Sequence, residues 1–227
     1  MFWQEDEDKP KNYVVPDEVV DLGFAIECKQ LPIDHAWVLQ EALLKVLPWL
    51  ADEPLARVHP IPVAESSNGW MRPDDTEEQV LIPSKRTKLY LRLPKTRLLE
   101  AQTLTGHTLS LGGYALTVGT AKTRLLQNQP VIFARHVASL EAESEEQFLI
   151  RMAADIQHIT GIKIKKMLCG KTTYLYQPQQ PLLTRQLMIA DLDHESSIKL
   201  QQQGLGTERL MGCGVMIPHK GIKAQDA

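Results

Sequence analysis

One order of elements occurs twice along this chain, and it restricts the fold more than any single motif does. In the first half, Val19–Glu27 (VVDLGFAIE) puts Val20, Leu22, Phe24 and Ile26 on one face, the alternation of a strand. Pro32 closes that segment. Asp34 stands where a helix cap is needed, with Ile33 and Val38 as a hydrophobic staple. The helix is expected over His35–Leu47, with Leu39, Leu43, Val46 and Leu50 at core spacing, and Pro48 stops it. Arg57–Val63 is an edge strand, because its prolines would interrupt a central ladder. Residues 64–79 are a polar linker. Lys88–Leu93 alternates as a strand, Pro94 opens a short helix over Lys95–Gln102, and His107–Thr120 is a hairpin around Gly112 and Gly113.

The second half follows the same order. Val131–Leu140 is a strand. Ser144 caps a helix through Ile159 whose core stripe is Phe148, Met152 and Ile156, and Gly161 ends it. Ile162–Tyr176 and Leu182–Asp191 are strands, Glu195–Gln203 a short helix, and Arg209–Ile217 the last strand. This predicts an α+β protein made of two βαββαβ units, each with its helices on one face of a sheet. The expected domains are 18–124 and 125–220, with a mobile acidic arm over 1–17 and a tail over 221–227.

Apolar residues make up 43% of the chain, enough for real cores, and no apolar run approaches the roughly 18–20 residues of a membrane span. The acidic start, MFWQEDED, lacks the basic region of a secretory signal. Cys28, Cys169 and Cys213 lie far apart with no CxxC pair, so neither a disulfide framework nor a zinc site is suggested, and a reducing cytoplasm is the expected home. The net charge of −3 hides an asymmetry: residues 1–83 carry −11 and residues 84–227 carry +8. From Ser84 to Arg124 eight basic residues accompany one acid, Glu100. Such a field can hold a phosphate backbone even on an acidic protein.

Near the C-terminus, Gly204-Leu-Gly206-Thr-Glu-Arg209-Leu-Met-Gly212-Cys-Gly214-Val-Met-Ile-Pro218 sets two GxG pairs around a basic residue. This stretch resembles the glycine-rich loop of the RAMP superfamily of CRISPR proteins. LPIDHAWVLQEALLKVLPWL, RTKLYLRLP and GLGTERLMGCGVMIP are similar in order and spacing to the CRISPR repeat-processing endoribonucleases, the sixth Cas family, in its myxobacterial-type subfamily. The likeness spans about residues 19–218. It implies tandem ferredoxin-like (RRM-like) domains and a metal-independent endoribonuclease without cofactor. Its partner would be a repeat hairpin RNA, and other Cas effector-complex subunits could join it. The alternative is a non-cleaving subunit that holds the guide RNA's 3′ hairpin in an effector complex.

Cleavage without a metal uses the RNA's own 2′-hydroxyl as nucleophile. A histidine suits the proton transfers near neutrality, and Arg or Lys suits the charge gathering on phosphorus. The resemblance points to His35, in the first turn of the first helix, as the catalytic histidine. By spacing alone, a structural histidine at the core rim fits that position as well. Lys85 is a candidate for charge stabilisation and Ser84 for a hydroxyl donor. His59, between prolines, fits an edge strand better than a proton carrier. His107, His136, His158, His194 and His219 have no helpful constellation. For RNA binding the candidates are Arg86, Lys88, Arg97, Arg135, Arg185 and Arg209, with Gly204, Gly206, Gly212 and Gly214 letting backbone N–H groups approach phosphate. The strands offer Tyr90, Tyr174 and Tyr176 but no aromatic cluster for stacking bases, which favours helix- or loop-based binding.

Overall fold

The computed structural model describes residues 13–61 and 80–219; the predicted arm up to residue 12, the linker at 64–79 and the tail at 221–227 lie outside the described residues. Two antiparallel sheets carry the fold. The first contains β1 (Val19–Cys28), β3 (Arg57–Val58), β5 (Lys88–Pro94), β6 (Thr108–Leu111) and β7 (Tyr114–Arg124), in the order β3-β5-β1-β7-β6. The second contains β8 (Ile132–Ala138), β9 (Lys166–Leu175), β10 (Leu182–Ala190) and β11 (Ile217–Pro218), in the order β11-β8-β10-β9. With β6 set aside as a hairpin addition at the edge, the four main strands of each unit run 4-1-3-2 both times. That is the ferredoxin-like arrangement, and it bears out the duplication expected from element order. A short ladder joins β2 (Leu31–Pro32) to β4 (Val80–Leu81).

Helix α1 (Ala36–Val46) and the short α2 (Leu98–Gln102) belong to the first unit. Leu39 and Leu43 of α1 meet Leu22 and Phe24 of β1 and Leu89, Leu91 and Leu93 of β5 in one core. The cap differs from expectation: His35 is the N-cap and makes no side-chain cap bond, while Asp34 Oδ2 accepts the N–H of Tyr176 at 2.7 Å, across the domain boundary. In the second unit, α3 (Glu145–Thr160) is bounded as predicted. Ser144 and Gln147 form a reciprocal capping box, and Gly161 ends the helix in the left-handed region. Phe148, Met152 and Ile156 pack on Ile132, Ala134, Leu187 and Ile189, with Leu200 of α4 (His194–Gln203) beside them.

The last predicted strand is corrected. Residues Arg209–Met211 form a 3-10 turn, and only Ile217 and Pro218 pair, with β8. Gly212 (φ +83°) and Gly214 (φ +65°) both take positive φ, which a strand cannot use. Among the described residues no helix is long and apolar enough to cross a membrane.

Candidate functional site at the domain interface

Each sheet has one face under helices and one turned toward the other domain. On β1 the alternation that buries Leu22 and Phe24 sends Asp21 and Gly23 to the second face. Asp21 is cross-strand partner to both Arg92 and Arg124. Arg92 is 1% exposed and donates to Asp21 at 2.8 and 3.3 Å, and to the backbone carbonyls of Gln201 (2.8 Å) and Met216 (2.7 Å). One guanidinium therefore ties the first sheet to α4 and to the strand approach of β11. Burial pushes the Asp21 carboxyl up, but Arg92 and then His59 hold it well below the usual carboxylate range. His59 Nε2 is 3.2 Å from Asp21 Oδ1, and burial lowers the pKa of the ring. This agrees with a structural edge-strand histidine.

The glycine-rich loop serves the same junction. Gly204 packs on the Arg57 side chain, Gly212 on Pro60, and a Cβ on Gly214 would stand 1.7 Å from the Leu205 oxygen. Arg57 donates to the Gln203 carbonyl, and burial pulls its pKa down to about 10. Arg209 donates to the carbonyls of Leu50 (3.0 Å), Ala51 (2.5 Å) and Glu53 (3.2 Å), the end of a 3-10 turn in the first domain. The loop thus joins the two domains, and the guanidinium expected to grip phosphate donates here to backbone carbonyls of the first domain.

Beside this joint lies a cleft of about 390 Å³, walled by both domains. From the first domain come His35, His59 and Tyr90; from the second come Phe133, Arg135, His136, Lys171 and Gln186. His35 is 6% exposed. Its Nδ1 donates to the Pro32 carbonyl (3.0 Å) and its Nε2 accepts the Ile61 N–H (3.1 Å). His136 Nδ1 lies 3.1 Å from Thr184 Oγ1.

The structure sorts the sequence candidates. His35 and Arg135 share the cleft. Ser84 and Lys85 lie outside its lining, and Ser84 is engaged with Thr87 in a local turn, Oγ to Oγ1 at 3.2 Å. Arg86 is exposed on the same turn, and Lys88 is half-buried on β5. Arg97 is taken by Glu53 and Glu100. Arg185 donates to Ser139 Oγ (3.1 Å) and the Glu143 carbonyl (2.9 Å). His136, Lys171 and Gln186 line the cleft as well, and no linear spacing links them to His35. The only sequence signal was the polar Arg135-His136 pair inside an apolar strand. Among the described residues no three His, Cys, Asp or Glu side chains gather as a metal-binding group.

The family model described as Cas6 Crispr matches residues 20–221. The chain belongs to the Cas6 family. A CRISPR-associated endonuclease Cas6 of Myxococcus xanthus (strain DK1622) is 26% identical over 200 residues, covering 88% of this chain and 81% of that one. Among solved structures, a Cas6-related protein from Pyrococcus furiosus superposes with a TM-score of 0.61 at 14% identity, over 91% of this chain and all of that one. A RAMP protein described as binding different RNA substrates gives a TM-score of 0.59 at 15% identity, over 87% and 98%. These likenesses establish the Cas6 fold over both domains.

Proposed function

We propose that this protein is the endoribonuclease that recognises the repeat hairpin of CRISPR precursor RNA and cuts it without a metal, in the cleft between domains 18–124 and 125–220. The observation that carries this reading is the cleft itself. It combines His35, at the start of α1, with Arg135 and Lys171 from the other domain, in a chain of the Cas6 family. A histidine can exchange protons near neutrality, and the cations can hold a phosphate. The 2′-oxygen attacks phosphorus and the 5′-oxygen leaves, giving a 2′,3′-cyclic phosphate and a 5′-hydroxyl. We assign to His35 the proton given to the leaving oxygen. For that, its Nε2 gives up the Ile61 N–H and takes a proton from solvent before it meets the RNA, the lost hydrogen bond costing about 1 kcal/mol. Arg86, Lys85 and Lys88 supply backbone contacts outside the cleft.

The test is wild type and His35→Ala on labelled repeat hairpin RNA in EDTA, with binding measured in parallel. The expected result is a single cut by wild type, lost in the variant with affinity retained. Tight binding without a cut by wild type identifies a non-cleaving guide-RNA subunit instead.

A further inference from the structure

The two ladders of β10 lose register at one place. Arg185 pairs with Val137 and Thr172, and Leu187 pairs with Ala134 and Cys169. Gln186 therefore opposes two residues on each side: Arg135 and His136 on β8, and Gly170 and Lys171 on β9. A bulge re-aims side chains that strict alternation would send to opposite faces. Here Arg135, His136, Lys171 and Gln186 all line the cleft, while Ala134, Val137 and Leu187 remain in the core. Gly170 makes this possible, since a Cβ there would stand 2.8 Å from Gln186 Oε1 and 2.9 Å from its Cβ. Two bulges at one level sacrifice ladder pairing in the middle of a sheet.

The His136 ring is also oriented. Thr184 Oγ1 donates its single proton to the Thr173 carbonyl at 2.8 Å, so toward His136 it can only accept. Nδ1 of His136 is then the protonated nitrogen of the neutral ring, and Nε2 is the basic one.

We propose that His136 is the general base of the reaction, with Arg135 and Lys171 holding the scissile phosphate; this rests on the endonuclease reading above. The 2′-O–H bond breaks and its proton passes to Nε2 of His136. The 2′-oxygen bonds to phosphorus, the P–O5′ bond breaks, and the 5′-oxygen takes the Nε2 proton of His35, which enters the step as the imidazolium; the proton gained by His136 returns to His35 through solvent. One proton moves on balance, and nothing is oxidised or reduced. Thr184 is a positioning residue, acting through the tautomer it fixes.

The experiment is single-turnover cleavage of labelled repeat hairpin RNA in EDTA by wild type, His136→Ala, His136→Gln and Thr184→Val, with RNA affinity and thermal melting followed alongside. His136→Gln keeps an amide donor for Thr184 and His136→Ala does not, so the two substitutions together separate folding from chemistry. Cutting is expected to fall by about 10²–10⁴-fold in both His136 variants and by about tenfold in Thr184→Val, with affinity retained. A substrate with a 5′-bridging sulfur, whose thiolate leaves without a proton, should restore cutting by His35→Ala but not by His136→Ala. Wild-type rates in either folded His136 variant, or rescue of His136→Ala by the sulfur substrate, overturn the base assignment alone. Failure of wild type to cut any repeat RNA overturns the endonuclease reading and the assignment with it.

Discussion

Arg209 shows how a basic residue in a suggestive motif can be committed elsewhere. Its guanidinium caps three carbonyls of the other domain, so its loss should be felt in stability. Arg209→Ala is expected to cost about 1–3 kcal/mol, the net worth of its lost hydrogen bonds at about 1 kcal/mol each, read by chemical denaturation. The salt slope of RNA binding should not change, because a guanidinium that keeps its carbonyl partners in the complex releases no counterion. Glu143 gives a second residue-scale prediction. Hydrogen bonds from Arg151 hold its carboxyl down to about 2, with burial opposing them. The folded value lies below the unfolded one, so the stabilisation is present above about pH 4.3 and is lost as pH falls toward the folded value. Glu143→Gln should remove that part of the acid limb from a stability-against-pH curve. His59 acts at higher pH. Burial lowers its folded value, so the neutral ring contributes fully above about pH 6.5, and the contribution is lost as pH falls below that.

At the scale of elements, the glycine-rich loop separates two reasons for glycine. Gly206 takes φ +67° with Val137 no nearer than 3.6 Å to a built Cβ, so its requirement is backbone conformation alone. Gly206→Ala should cost about 1–2 kcal/mol, the strain of a left-handed residue. Gly214 adds a direct collision with the Leu205 oxygen. Gly214→Ala should therefore cost more than about 2 kcal/mol and loosen the attachment of Leu205. The urea midpoints of the two variants, measured side by side, check that ranking. Equal costs would show that the loop relaxes around Gly214.

For the molecule as a whole, the two domains are joined by buried polar struts as well as by apolar contact. Arg92 and Asp21 carry the central strut, and Arg57 and Arg209 flank it. Arg92→Met should leave Asp21 buried without its main partner, at about 3–5 kcal/mol. It should also uncouple the domains, so that one cooperative unfolding transition divides into two, seen by calorimetry. The site depends on the same rigidity, because the cleft takes His35 from one domain and His136 from the other.

The element order was legible because periodicity and caps are local. The Ser144 box, the Gly161 stop and the Leu22–Phe24 alternation each need only neighbouring residues to specify them. The sequence by itself thus determined two βαββαβ units, the Cas6 resemblance, and His35 at the head of the first helix. The partners of the charged residues were decided only in three dimensions. Asp21 and Arg92 alternate with the apolar residues of their strands, and they are buried because the second domain closes over that face. Arg185 and Arg209 read as free cations, and folding gave them oxygen partners 42 to 159 residues away. The place of His136 depends on a double loss of register against β10, and the pairing that reveals it exists only once the sheet has formed. Local preference sets which elements form, whereas long-range contact sets which charges remain available for chemistry.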